Sequence, residues 1–218
     1  YQGAPALAAE SALRVGCGLV ELACPQEVRT QIAGYLREII TVPLPSPHGH
    51  LQPEDLQHIL PPGDRVRAMC LGPGLSGELP GHKAICELLA KTELPVVIDA
   101  DALHAVARKG PLRPGVVLTP HPGEMSALTG ATVAELEADR VGWALRCAAE
   151  YQSVVVFKGV PTVVADSGGR YWISTTGSPV LAQGGTGDVL AGAVAGLLAQ
   201  GLPPVEAACA AVHVHGRA

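Results

Sequence analysis

Short runs of branched aliphatic residues recur along the chain, and stretches rich in alanine and leucine fill the intervals between them. Val-Val-Ile at 96–98, Val-Val-Leu at 116–118 and Val-Val-Val-Phe at 154–157 show no polar alternation, which is the pattern of strands buried on both faces. Strands are predicted over 19–23, 38–42, 68–71, 96–99, 116–119, 154–157, 162–165 and 171–174. Helices are predicted over 6–15, 25–34, 53–59, 80–90, 102–107, 124–128, 133–150, 188–199 and 204–215. Thr132, with Glu135 three residues on, gives the segment from 133 the start signal of a capping box. Strands alternating with helices of these lengths require parallel crossovers. The fold class is therefore α/β, a three-layer α/β/α sandwich around a mostly parallel central sheet. No helix separates the strands between 154 and 174, so an antiparallel hairpin is expected there, turning at Ser167-Gly168-Gly169. Proline-rich connections run over 43–53 and 60–64, and no internal repeat is evident.

Composition sharpens this picture. The 218 residues are 48% hydrophobic but only 3% aromatic, so the core must be built from Val, Leu, Ile and Ala. Nothing in the composition divides the chain into two domains. The formal net charge is −5 and there is no basic run, which argues against nucleic acid as a partner. An anionic ligand would need local help from backbone N–H groups. No apolar run reaches 18 residues; the longest, 189–199, reads as a buried helix and not as a membrane span. Cysteines 17, 24, 70, 86, 147 and 209 form no C-x-x-C pair and read as core thiols of a reducing, cytoplasmic compartment. The pairs His48/His50 and His213/His215 lack a Cys or carboxylate spaced to complete a zinc site. The chain starts abruptly at Tyr1 and stops at Ala218 inside a helix-like run, so both ends read as truncated.

Open α/β sheets bind ligands beyond the carboxyl ends of their strands. The segments 72–77, 99–103, 119–124 and 158–162 all follow predicted strands and are expected to converge on one edge. A fifth segment, Gln183-Gly184-Gly185-Thr186-Gly187-Asp188, leads into the helix predicted over 188–199. Its glycines, Gly184, Gly185 and Gly187, let the backbone approach an anion closely, with Thr186 between them. The free N–H groups of the first helical turn would face that anion. Asp188 has two readings: a base that takes a proton from a hydroxyl attacking phosphorus, or the cap of the helix. Lys158 either pairs with a phosphate or snorkels at the surface. His121, stiffened between Pro120 and Pro122, is either a ligand contact or a solvent-exposed loop residue, and Glu124 caps the helix that follows. Asp99 and Asp101 are close enough to serve Mg²⁺, although capping suits Asp101 as well. Gly72-Pro73-Gly74-Leu75-Ser76-Gly77 matches G-x-G-x-x-G, with Asp99 about twenty residues later, but Pro73 removes a donor from the loop.

Taken in order, these segments resemble the ADP/ATP-dependent NAD(P)H-hydrate dehydratases of the ribokinase-like superfamily. The likeness runs through Tyr1-Gln2-Gly3-Ala4, 12–20, 71–75, 97–103, Leu118-Thr119-Pro120-His121-Pro122-Gly123-Glu124, 158–162 and 184–192. The His-Pro-Gly-Glu and Gly-Thr-Gly-Asp loops together are specific to the family, whereas the latter alone marks only the superfamily. The resemblance implies one ribokinase-like catalytic domain over 1–218. It implies that Ala4, Gly74, His121 and Asp188 contact hydrated NAD(P)H, and that Lys158, Gly159, Val160, Pro161, Thr162 and Gly187 border the adenine nucleotide. It implies ADP (or ATP) as co-substrate with Mg²⁺, a homo-oligomer, and an epimerase partner that is fused or separate. Ser178, Gln183 and His104 depart from the family's usual residues. A vitamin-precursor kinase of the same superfamily is the rival reading, and the His121 loop argues against it.

Overall fold

The computed structural model describes residues 3–46, 51–60, 65–75 and 79–218. Tyr1, Gln2, His48, His50, Ser76 and Gly77 lie outside them, as does most of the 60–64 connection. The chain opens with α1 (Gly3–Arg14), β1 (Glu21–Pro25), α2 (Gln26–Ile32) and β2 (Ile40–Leu44), then α3 (Leu56–Ile59), β3 (Met69–Leu71) and α4 (Leu79–Lys91). The middle of the chain gives β4 (Val96–Ile98), α5 (Asp101–Val106), β5 (Val116–Leu118), α6 (Pro122–Thr129), α7 (Val133–Ala138) and α8 (Arg140–Tyr151). It closes with β6 (Val154–Phe157), β7 (Val163–Ala165), β8 (Tyr171–Ile173), α9 (Thr186–Ala199) and α10 (Pro204–His215).

The main sheet has six strands in the order β3-β4-β5-β6-β7-β8. Its first three pairings are parallel and its last two antiparallel. The antiparallel return appears where no helix separates the strands. The turn lies near Ser167, where the Asp166 carboxylate accepts from the Gly168 and Arg170 N–H groups at 3.0 and 2.9 Å.

Strand residues alternate between two cores, as their period of two requires. Val96, Ile98, Val116, Leu118, Val155 and Phe157 face α4, α5, α6 and α8. Val97, Val117, Val154, Val156 and Val164 face α9 and α10. Burial on both faces explains the uninterrupted apolar runs.

Two features differ from the expected pattern. Strands β1 and β2 do not join the main sheet; they pair in parallel with each other, Leu22 opposite Thr41. Leu22 and Cys24 bury instead against Ala9, Ile32, Leu36 and Ile39 in a separate small core. The single helix expected over 133–150 is broken at Asp139, whose φ of −144° and ψ of 65° are non-helical. The Asp139 carboxylate accepts from the Gly142 N–H at 2.9 Å and so caps a new helix. The Thr132–Glu135 capping box forms as expected, Glu135 N–H donating to Thr132 Oγ1 at 3.3 Å and Thr132 N–H to Glu135 Oε2 at 2.8 Å.

Helix α9 lies buried between the sheet and α1. A Cβ on Gly192 would overlap the Ala8 carbonyl oxygen of α1, so only glycine permits this backbone approach. The Ser11 hydroxyl donates to the Val189 carbonyl at 2.6 Å across the same seam. These contacts fix where the N-terminus of α9 points.

Candidate active site

Because β3, β4, β5 and β6 run parallel, their carboxyl ends share one edge, and the described parts of the segments expected to converge there do so. Gly72, after β3, packs so close to the Asp99 carbonyl that a Cβ would overlap it. The Thr119 hydroxyl, after β5, donates to Asp99 Oδ1 at 2.7 Å. The Lys158 N–H, after β6, donates to the Pro120 carbonyl at 2.8 Å. From that anchor the Lys158 ammonium reaches Asp99 Oδ1 at 2.7 Å and Glu124 Oε2 at 3.6 Å. It also borders the start of α9, where a Cβ on Gly187 would stand 3.3 Å from Nζ. The first turns of α1 flank the same loop: a Cβ on Gly185 would meet Leu7 at 2.6 Å, and Ala4 lies one turn before Leu7.

Lys158 is thus no snorkelling surface residue. Its side chain is only 17% exposed. Burial works against its charge, but Asp99 and Glu124 outweigh that and hold its pKa above the ordinary lysine value. Asp188 feels the opposite balance. Burial and the negative charges of Asp99 and Glu124 push its pKa up, and Lys158 only partly offsets them.

Asp188 is not the cap of α9. The cap position is Gly185, at φ 93°, with no side-chain cap bond, and Asp188 sits in the first helical turn. A carboxylate of raised proton affinity, half-buried beside a lysine at a glycine-led helix start, has the character of a general base. Thr186 braces the loop, its hydroxyl lying 2.6 Å from the Leu181 carbonyl and 2.9 Å from that of Gln183.

His121 turns out to be the N-cap of α6. Its Nδ1 accepts from the Gly123 and Glu124 N–H groups at 3.0 and 3.2 Å, and Glu124 Oε2 accepts from the His121 N–H at 2.8 Å. With the Nδ1 lone pair engaged, the ring proton belongs on Nε2, which lies 3.3 Å from Glu124 Oε1. The side chain is still 55% exposed, so a fixed imidazole faces outward.

The aspartate pair after β4 behaves differently from expectation. Asp99 is 1% exposed and committed to Lys158 and Thr119. Asp101 is the first residue of α5 and not its cap; the cap is Ala100, with φ 47° and ψ −127°, an uncommon conformation for a residue with a side chain. Burial raises the Asp101 pKa. Among the described residues no three His, Cys, Asp or Glu side chains come together as a metal cage.

The described part of the G-x-G-x-x-G segment closes as a turn, Leu75 N–H donating to the Gly72 carbonyl at 3.0 Å around Pro73 and Gly74. Ser178 caps the short 3-10 turn Pro179–Leu181, its hydroxyl accepting from the Val180 N–H at 3.3 Å, a role asparagine fills equally well. His104 is exposed on α5. Two residues not expected at the site, His215 of the His213/His215 pair and the unmarked Arg140, also reach this edge. His215 lies beside the Thr186 backbone and its pKa is lowered by burial. Arg140 bonds the backbone on both sides of Gly159 and Val160.

The mixed sheet with its antiparallel final strands, and a glycine-led helix start opposite four strand ends, define a ribokinase-like α/β protein. The chain belongs to the NAD(P)H-hydrate dehydratase family, whose model matches residues 1–218. It is 42% identical over 221 residues to the bifunctional NAD(P)H-hydrate repair enzyme of Moorella thermoacetica, covering 99% of this chain and 42% of that protein. It is 34% identical over 225 residues to the ADP-dependent (S)-NAD(P)H-hydrate dehydratase of Neisseria meningitidis serogroup B, covering 99% of this chain and 71% of that protein. The solved ADP/ATP-dependent NAD(P)H-hydrate dehydratase of Bacillus subtilis, co-crystallized with ATP/Mg²⁺ and soaked with CoA, superposes with a TM-score of 0.84 at 34% identity. That match covers 99% of this chain and 76% of the Bacillus chain. The chain spans about two-fifths of the length of the bifunctional relatives it matches.

Proposed function

We propose that this chain is a ribokinase-like catalytic unit that dehydrates the S form of hydrated NAD(P)H at the expense of ADP, releasing AMP and phosphate. The observation that carries the reading is the juxtaposition of Asp188, with raised proton affinity, and the buried Lys158 at the start of α9. Asp188 takes the proton of the C6 hydroxyl of the hydrated nicotinamide ring. That oxygen attacks the terminal phosphorus of ADP, and the bond to AMP breaks. The N–H groups of Gly184, Gly185 and Gly187 would face the transferring phosphoryl, which is negative throughout, while the Thr186 N–H is held by the Gln183 carbonyl at 3.4 Å. Loss of phosphate from C6 together with a ring proton restores the reduced nicotinamide. Preorganised donors and in-line placement carry most of such a transfer.

We assign Ala4, Gly74 and His121 to the hydrated dinucleotide: Ala4 lies one turn before Leu7, which borders Gly185, Gly74 follows β3, and His121 caps α6 beside Glu124, which reaches Lys158. Lys158, Gly159, Val160, Pro161, Thr162 and Gly187 fit the adenine nucleotide. Bound with that nucleotide, Mg²⁺ would offset phosphate charge. That relatives of this chain are bifunctional repair enzymes supports a second repair activity, which we read as an epimerase partner, fused or separate; a homo-oligomer is part of the same proposal. Six free thiols fit a reducing, cytoplasmic setting, and among the described residues no helix is long and apolar enough to cross a membrane.

The test is incubation with hydrated NADH, ADP and Mg²⁺, following reduced-nicotinamide absorbance. The absorbance should grow with one AMP formed per NADH. Conversion of ADP to AMP without that growth would instead point to a kinase that keeps its phosphorylated product. Asp188→Asn should still fold and bind nucleotide but lose turnover by at least about 10²-fold. A near-wild-type rate removes the base assignment.

A further inference from the structure

The loop after β6 has an unusual support. Arg140, the first residue of α8, extends beneath it with a side chain only 10% exposed. Its Nε donates to the Pro161 carbonyl at 3.2 Å, and its Nη2 to the carbonyls of Phe157 and Lys158 at 3.1 and 2.9 Å. Its Nη1 pairs with Glu137 Oε1 at 2.6 Å, and Cζ stacks 3.9 Å from the Phe157 ring centroid. One planar guanidinium thus ties together both ends of a backbone excursion whose outer residues, Gly159 and Val160, face solvent. The fit is close: a Cβ on Gly159 would stand 2.5 Å from Arg140 Nη2.

These carbonyls have an immediate link to the site. Lys158 is held by its N–H to Pro120 and by its C=O to Arg140. The position of its backbone, and hence the reach of its ammonium to Asp99 and to the start of α9, depends on both. A lysine at 140 could not copy this support, because an ammonium is a point charge and cannot span three carbonyls with a rigid fork.

We propose that Arg140 is the positioning residue of the nucleotide loop: it fixes 157–161 from behind, so that Lys158 and the exposed backbone up to Thr162 are presented to the adenine nucleotide in one conformation. The proposal rests on the nucleotide assignment made above. It predicts a selective effect, because Arg140 touches none of the residues assigned to the hydrated dinucleotide.

The experiment compares wild type, Arg140→Lys, Glu137→Ala and Arg146→Lys, the last an exposed arginine on the same helix. For each chain ADP affinity is measured by calorimetry, KM for both substrates and kcat by the absorbance assay, and amide exchange over 158–162 by mass spectrometry. Arg140→Lys should weaken ADP at least about tenfold, the scale of one lost charge-assisted hydrogen bond, with accelerated exchange confined to that loop. KM for hydrated NADH should move less than about threefold on the same reasoning. Glu137→Ala, which only frees one edge of the fork, should give a smaller loss of the same selectivity, and Arg146→Lys should match wild type. A folded Arg140→Lys that binds ADP within twofold of wild type overturns the proposal, and so does equal weakening of both substrates with a lowered melting temperature. If Arg140→Lys fails to fold, an ADP-indifferent Glu137→Ala overturns it. Failure of the wild-type chain itself to bind ADP or to act on hydrated NADH would overturn the functional reading first, before any variant is compared.

Discussion

Replacing Lys158 by methionine removes the cation that pairs with Asp99 and Glu124 and offsets the charge of Asp188. The methionine occupies the lysine's space, so packing changes little and the electrostatic consequence is isolated. Asp99 then loses its 2.7 Å partner while remaining 1% exposed, and among the described residues its carboxylate keeps the Thr119 hydroxyl. Breaking a buried ion pair by removing one partner costs about 3–5 kcal/mol, and the residual exposure of Lys158 argues for the lower end. For a chain of this length each kcal/mol moves Tm by roughly 2–4 °C, so Lys158→Met should melt about 6–12 °C below wild type at pH 7.5. The pH dependence follows from the signs. Burial and its acidic neighbours already raise the Asp188 pKa, and losing Lys158 raises it further above its unfolded value, so this penalty is relieved as pH falls towards the ordinary carboxylate range and is full at neutral pH. The Tm deficit should therefore shrink steadily as pH is lowered from 7.5 to about 5. Adding Asp99→Asn to Lys158→Met should recover at least about 1 kcal/mol, because neither charge is then stranded. Calorimetric melting of the four chains of this cycle at several pH values is the assay. A Lys158→Met chain within about 1 °C of wild type, or a deficit that does not change with pH, would refute the shared-lysine account.

His121→Ala should raise KM for hydrated NADH by about tenfold while ADP affinity stays within about twofold, since the imidazole is 55% exposed and assigned to the dinucleotide; equal loss for both substrates in the absorbance assay contradicts the assignment. Gly192→Ala forces a Cβ into the Ala8 carbonyl and so separates α1 from α9. Overpacking of this kind costs about 1–3 kcal/mol, and because α9 carries Gly187 and Asp188, kcat should fall along with Tm; a variant as stable and active as wild type would show that the seam yields freely.

The sequence made most of the sheet legible because a strand buried on both faces needs an unbroken apolar run, and few other structures do. Val96–Ile98, Val116–Leu118 and Val154–Phe157 lie where those runs lie. The break at Asp139 was hidden for a local reason. Val133 to Tyr151 has helical periodicity throughout, and the interruption depends on whether an aspartate carboxylate turns to the Gly142 N–H, a choice that periodicity does not record. The separate pairing of β1 and β2 was equally hidden, since short apolar strands show that they are buried but not against which neighbour.

The site was legible only in part, and the division has a physical cause. Each loop announced itself through residues with unusual backbone requirements, the glycines of 184–187 and the prolines around His121. What each charged residue does was undecided, because its partner comes from another strand: Lys158 and Asp99 are 59 positions apart. Arg140 left no trace at all, because it acts on carbonyl groups that every residue has. Bringing these residues to one edge changes the chemistry that each could perform alone. Lys158 in the free protein is divided among three carboxylates, and it is the partial counter-charge that keeps the Asp188 pKa from rising further. Under the proposed reaction, a nucleotide phosphate arriving at the start of α9 competes for that same ammonium. The share left to Asp188 then falls, and its affinity for a proton rises at the moment a hydroxyl must be deprotonated. Binding of the co-substrate and activation of the base are thus coupled through one lysine, and the backbone of that lysine is held by Arg140.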